Sequence, residues 1–392
     1  MKNYKNCIKY SCILLFSLLF SCENKAAGPQ VVSSNYPTMA DYWNGNADWQ
    51  LYYNRYVSNW HAAAGTTLRV VNGTWYWFQR YQVPGQTPKK LGTECRKSTD
   101  KGQTWSEPVK VLNPTPGTPW SRMATDGDFY YDAAANKWRC LFQSLSVAGG
   151  GWTCSYLERA GADPMGPFTT PAGFTNPAIN AKEIWGRIAD DPGDDCVKIP
   201  GGKLNQVYDE GTPEIVLQNG NTFYVTFHGA AKVGKSIYGF RGIATTTDFQ
   251  TYTPAAPDCI MDAYDSNKWN VAWQGDRNGN AGSIGVGAAT CLKEGPYWYT
   301  LIEGADKSLG GTAGQNWTFG LLRSVNLTST SWENWPGNPV PTFTPHKELL
   351  EWQYARLFKD GGVTYCAINR DNPASDRSFR IYKLAWKSTA HP

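Results

Sequence analysis

The sequence is poor in charge. Only 18% of its 392 residues are Asp, Glu, Lys or Arg, and the formal net charge of +4 is not gathered into any basic run. Nucleic acid is therefore not an expected partner, since phosphate recognition needs a clustered positive face. There are four His, and no two Cys stand at CxxC spacing, which argues against a structural zinc site. No apolar run is long enough for a membrane-spanning helix. The longest near the start, Ile13 to Phe20, covers about eight residues and is broken by Ser17. What the sequence has instead is 18 Trp, 22 Tyr and 39 Gly. That mixture suits many short strands joined by Gly and Pro turns, and a length natural for one large all-β architecture.

The N-terminus carries an export signal. Lys2, Lys5 and Lys9 precede the apolar run, which is the layout of a secretory leader. It ends in Leu19-Phe20-Ser21-Cys22, which resembles the bacterial lipobox. Residues 1–21 are expected to be a lipoprotein signal peptide, Cys22 the lipidated residue, and 22–34 a flexible tether. The expected location is the periplasm or the outer-membrane surface of a bacterium, with the lipid as the only membrane contact. Seven Cys follow Cys22; an odd number leaves at least one thiol free.

One pattern recurs five times: an extended run, a tight turn and an aromatic-rich strand. The copies are 68–80, 128–144, 214–229, 288–304 and 355–370, anchored on Trp75, Trp138, Phe223, Trp298 and Tyr365. Asn-Gly, Lys-Glu-Gly and Asp-Gly-Gly between strand-like runs are hairpin signals, because Gly tolerates the positive φ such turns require. A third strand and a polar turn follow each hairpin. Five such units predict a five-bladed β-propeller over 35–392, with residues near Asp41 to Tyr56 supplying the missing outer strand of the last blade.

In such a ring, the start of each first strand and the end of each second strand converge on one mouth. The starts offer Trp60, His61, Arg122, Asp126, Asp128, Glu210, Glu214, Tyr354 and Arg356; the ends offer Arg80, Gln143, His228, Glu303 and Arg370. Asp48 is a further acid that could reach inward from the closing segment. Facing carboxylates suit glycoside hydrolysis, which needs a protonated acid and a second carboxylate that activates water or attacks carbon. His61 and His228 offer alternative acid or base groups. Trp60, Arg80, Arg122, Gln143, Glu214, Glu303, Tyr354, Arg356 and Arg370 are expected to bind substrate by stacking or hydrogen bonds. No cofactor is expected. The run Asp190-Asp191-Pro192-Gly193-Asp194-Asp195 has oxygens enough for Ca²⁺, though such runs are more often solvated loops. The expected partner is a poly- or oligosaccharide, and the expected state is a monomer.

Two short motifs carry a family resemblance. Ser98-Thr99-Asp100-Lys101-Gly102-Gln103-Thr104-Trp105 matches the Asp-box of sialidases and other propellers, whose Asp has a structural capping role. Tyr208 to Ile215 is similar to the segment that opens the third blade in glycoside hydrolase families 43 and 32 and their five-bladed relatives, the family 117-like enzymes included. There the Glu is the general acid. With one extra residue before Pro213, the resemblance implies Glu210 for that role and Glu214 as the alternative. It also implies Asp126 or Asp128 as the second-blade Asp that orients substrate. The first-blade base Asp is absent: the stretch reads Trp60-His61-Ala62-Ala63, which leaves His61, or Asp48 reaching in from the closing segment, as the substitute. A polysaccharide lyase, a sialidase and a non-catalytic glycan-binding lipoprotein are the competing readings on the same fold.

Overall fold

The computed structural model describes residues 35–56, 67–148, 152–179, 207–233, 236–256, 260–262, 285–306, 316–343, 352–370 and 378–388. Cys22, Trp60, His61 and the Asp-rich run 190–195 lie outside them, as do the side chains of Asp209 and Glu210 within a described strand.

A short helix, α1 (Met39–Trp43), precedes β1 (Ala47–Tyr56). Asp41 thus belongs to a helix and not to the expected strand. It closes a capping box with Thr38, each satisfying a backbone N–H of the other. The first unit is β2 (Thr67–Val71), β3 (Thr74–Val83), β4 (Lys90–Ser98) and β5 (Val109–Leu112). The second is β6 (Met123–Asp132), β7 (Lys137–Leu145) and β8 (Thr153–Ala160). The third is β9 (Val207–Asn219), β10 (Thr222–Val233) and β11 (Ser236–Thr246), flanked by β12 (Thr253–Pro254) and β13 (Met261–Asp262). The fourth is β14 (Gly285–Glu294), β15 (Tyr297–Asp306), β16 (Asn316–Ser324) and β17 (Glu333–Asn334). The fifth is β18 (Trp352–Asp360), β19 (Val363–Arg370) and β20 (Ser378–Trp386).

Every unit is an antiparallel meander, and its first two strands are the hairpin read from the sequence. The Asn72-Gly73 turn shows why: φ values of +50° and +75° fit an Asn-Gly pair that reverses two twisted strands. β1 pairs antiparallel with β20, from Ala47 opposite Trp386 to Tyr56 opposite Ser378, so the fifth sheet runs β1-β20-β19-β18. Asp48 therefore sits on the strand farthest from β18, at the outer edge of the sheet. That placement overturns its candidacy as a base.

The first strands neighbour one another in the order β2, β6, β9, β14, β18 and back to β2. Apolar faces of adjacent sheets pack together around them. Tyr76 and Phe78 of the first unit meet Phe129, Trp138 and Phe142 of the second, with Phe78 and Phe129 stacked at 3.8 Å. Leu68, Trp75 and Trp77 meet Phe358, Tyr365, Phe379 and Ile381 of the fifth, where Trp77 stacks on Phe379 at 3.8 Å. The abundant Trp and Tyr thus fill intersheet layers, each stacked pair adding about 0.5–1.5 kcal/mol beyond its burial.

The polar turns lie away from this inner ring. In the Asp-box, Asp100 accepts from the Thr104 N–H at 2.9 Å and the Thr104 hydroxyl at 2.6 Å, while Trp105 Nε1 donates to the Gly102 carbonyl. The Thr104 contacts pull its carboxyl down to about 2, as a charged cap should be. Asp248 caps the corresponding turn of the third unit through the Gln250 and Thr251 N–H groups.

Candidate active site where the first strands meet

Four of the five first strands carry the same irregularity. In β6 the register with β7 slips between Thr125 and Asp128, so that two residues, Asp126 and Gly127, bulge against one. The same slip places Thr212-Pro213 of β9, Gly287-Ala288 of β14 and Tyr354-Ala355 of β18 in equivalent bulges. Asp126, Thr212 and Tyr354 hold left-handed φ values of +54°, +38° and +55°. That region is costly for residues with a Cβ, and such strain gathers at functional sites.

The bulges surround one open cleft, and all five first strands line it: Thr67, Asp126, Thr212, Ala288 and Tyr354 are one residue from each. Two polar layers occupy this region. In the first, Arg80 Nε donates to Asp126 Oδ1 at 2.5 Å and Arg80 Nη2 to Asp126 Oδ2. Arg80 Nη2 also donates to the Tyr354 hydroxyl at 2.7 Å, and that hydroxyl lies 3.3 Å from Asp126 Oδ2. Burial works against the Arg80 cation, but the Asp126 carboxylate more than offsets it and holds Arg80 above its ordinary value. Burial drives the Tyr354 phenol up.

In the second layer, Asp128 takes Arg69 Nη2 at 2.5 Å and Arg356 Nη2 at 3.2 Å, and also accepts from the Ile215 N–H at 2.7 Å. Arg356 Nη1 reaches Glu214 at 2.7 Å, and Glu214 further accepts from the Cys291 N–H and the Thr290 hydroxyl. That hydroxyl accepts in turn from the Leu357 N–H. Residues of β2, β6, β9, β14 and β18 are all tied together here. Burial pushes the Glu214 carboxyl up, with Arg356 opposing.

Second-strand side chains clamp the next unit's bulge. Gln143 Oε1 accepts from the Thr212 N–H at 3.3 Å, and it lies so close to Gly211 that an added Cβ would stand 2.5 Å away. Glu303 Oε2 accepts from the Ala288 N–H at 2.8 Å, while Oε1 takes the Tyr354 N–H. Its carboxyl is pushed up to about 7 by burial, against the pull of those two N–H groups and Arg241. Arg241 is fully buried on the third strand of its unit and donates to the Thr212 carbonyl at 3.1 Å and the Gly287 carbonyl at 2.9 Å, pinning two bulges at once. His228 sits opposite Arg241; burial and that cation bring its imidazole down to about 3.

Of the expected site residues, Asp126, Arg80, Tyr354 and Glu303 come together, with Asp128, Glu214 and Arg356 in the adjoining ion network. Gln143 supports the third-unit bulge. Glu210 is placed by its backbone, opposite Gly229 and two residues before the Thr212 bulge. Arg122 lies just ahead of β6, and Arg370 ends β19 opposite Ser378; neither lines the cleft. Trp60 and His61 are outside the described residues. Sequence reasoning missed Arg69, Arg241 and the bulges themselves. The bulges left one trace, a small or cyclic residue at the second position of each: Gly127, Pro213, Ala288 and Ala355. Among the described residues, no group of three or more His, Cys, Asp or Glu is placed to hold a metal ion.

No protein-family model and no curated protein sequence matches the chain. Solved structures do. A glycoside hydrolase superposes with a TM-score of 0.62 at 13% identity, covering 90% of this chain and 95% of its own. A BT0996 RGII complex gives 0.61 at 12% identity, over 89% and 95%. A thermostable family-43 glycoside hydrolase gives 0.57 at 9% identity, over 83% and 90%. The protein has the all-β, propeller-like fold of the family-43 glycoside hydrolases.

Proposed function

We propose that this protein is a glycoside hydrolase built as a five-bladed β-propeller, closed by the β1–β20 pairing, and that it cleaves a poly- or oligosaccharide in the cleft between its bulged first strands. The observation that carries this reading is the convergence itself. Five repeated strands, four of them distorted at the same place, bring an ion-paired carboxylate and a phenol to one cleft, with the Glu303 carboxyl holding two of the bulges from the second strand, on a fold that glycoside hydrolases share.

Each group has a task. Glu210, beside the Thr212 bulge, is the general acid that protonates the leaving oxygen. Asp126, paired with Arg80, orients the sugar and stabilises developing positive charge at the anomeric carbon. His61, from the segment entering β2, activates water. Asp128 is assigned to structure, since two guanidiniums and an N–H occupy its oxygens and it does not line the cleft; Glu214, which does line the cleft, is the alternative acid. The raised Tyr354 phenol weighs against a lyase mechanism with Tyr354 as base, because removing a sugar proton needs a phenol of lowered pKa. The fold neighbours include a structure described as an exo-1,5-α-L-arabinanase, at a TM-score of 0.51. Arabinan and RGII-type glycans are accordingly the first substrates to offer. The Leu-Phe-Ser-Cys22 motif supports a lipid-anchored enzyme acting outside the cytoplasm.

The test is a glycan-panel digest read by mass spectrometry and ultraviolet absorbance. A hydrolase makes new reducing ends without an absorbing unsaturated uronate, and Glu210→Gln abolishes them while leaving the melting temperature unchanged. An absorbing product, or full activity in Glu210→Gln, overturns the assignment.

A further inference from the structure

The four bulged hairpins differ in one informative way. Opposite each bulge stands a single residue of the second strand: Phe142, Phe227, Glu303 and Ile368. Phe142, Phe227 and Ile368 are fully buried in the apolar layers between sheets. Glu303 is buried as well, at 4% exposure, but it is an acid in a place the other repeats give to hydrocarbon. A buried carboxyl is costly unless its oxygens are satisfied. Here both are, by the backbone N–H groups of Ala288 in its own unit and Tyr354 in the next. Both donors are bulge residues that line the cleft. Tyr354 then carries the effect onward, for its hydroxyl contacts Arg80 and Asp126 from the far side of the cleft.

We propose that Glu303 is a positioning residue for the hydrolysis: it holds the Ala288 and Tyr354 bulges in register, and through the left-handed Tyr354 it fixes the hydroxyl that completes the Arg80–Asp126 pair. The inference rests on the hydrolase reading for its kinetic consequence but not for the clamp itself. Glu303 makes no contact with the reacting atoms. It acts by keeping a phenol in place, and displacements of about 1 Å at such a site cost about 10²-fold in rate.

Ionisation gives the clamp a pH signature. The groups that bear on the Glu303 carboxyl are the Tyr354 and Ala288 N–H groups, Arg241 on β11 and Asp126 on β6. With its midpoint at about 7, the carboxyl takes up a proton as pH falls through neutrality. The proton occupies one oxygen and weakens its acceptance of an N–H.

The experiment compares wild type, Glu303→Gln, Tyr354→Phe and the double variant. Glu303→Gln keeps one acceptor and turns an NH₂ toward the other N–H. It is expected to lower kcat by about 10²-fold with KM nearly unchanged and to erase a wild-type decline in kcat below neutral pH. The Tyr354 and Ala288 amides are expected to exchange hydrogen faster, and the double variant to be little worse than Glu303→Gln alone, because the two share one path. Unchanged kcat and pH profile in Glu303→Gln, or fully additive losses in the double variant, overturn the positioning role. If wild type cleaves no glycan, the hydrolase reading falls separately, and hydrogen exchange still decides the clamp: retained protection at both amides in Glu303→Gln refutes it.

Discussion

Asp126 and Asp128 are two residues apart on one strand, yet they belong to different chemistry. Asp128 is enclosed by two guanidiniums and a backbone N–H, all from other first strands. Asp126 has one guanidinium, lines the cleft, and sits on a left-handed bulge that turns it away from its neighbour's layer. The bulge makes the difference. In a regular strand, residues i and i+2 share a face; one inserted residue breaks that alternation and lets a single strand supply both a structural ion and a site carboxylate. The same device in β9 separates less: Thr212 and Glu214 both line the cleft, and Glu214 also joins the ion network.

The largest expected effect comes from breaking the structural layer. Asp128→Ala leaves Arg69 and Arg356 short of a counter-charge in a buried setting, at a cost of about 3–5 kcal/mol. Denaturant unfolding should show this loss directly. In the cleft layer, Asp126→Asn preserves size and one acceptor, so its principal effect falls on rate, about 10²–10³-fold in kcat, with the fold retained by circular dichroism. Gly127→Ala attacks the bulge that separates the two layers. A Cβ there would lie 2.7 Å from Phe142 Cβ and 2.9 Å from the Leu141 carbonyl, and overpacking of this kind costs about 1–3 kcal/mol, read as a lowered melting temperature. The smallest effect concerns His228, whose imidazole is lowered from 6.5 to about 3 by burial and Arg241. Between those values the unfolded chain takes up a proton that the folded chain refuses, so this contribution to stability is present above about 6.5 and lost as pH falls through the window. His228→Asn should therefore flatten part of the acid-side decline in denaturant midpoint.

The same contrast explains what could be read from the sequence. The hairpins and the Asp-box were legible because their determinants are local: Asn72-Gly73 sets one turn, and Asp100 finds its partners within four positions. The convergence of Arg80, Asp126, Tyr354 and Glu303 followed from the repeat once strand starts and ends were assigned. The separation of Asp126 from Asp128 did not follow, because it depends on partners 46 and 228 positions from Asp126 and on a register slip that no turn residue announces. Asp48 is the opposite case: the repeat already assigns its segment to the outer strand of the last blade, and the β1–β20 pairing puts it there, which is itself the argument against a role in the cleft.

The most direct measurement is the release of reducing ends from arabinan and RGII-type glycans by wild type and Asp126→Asn, alongside the melting temperature of each. A hydrolase centred on the cleft releases oligosaccharides as wild type and falls nearly silent as Asp126→Asn, with both proteins folded. Equal rates from the two proteins would place the chemistry elsewhere on the molecule.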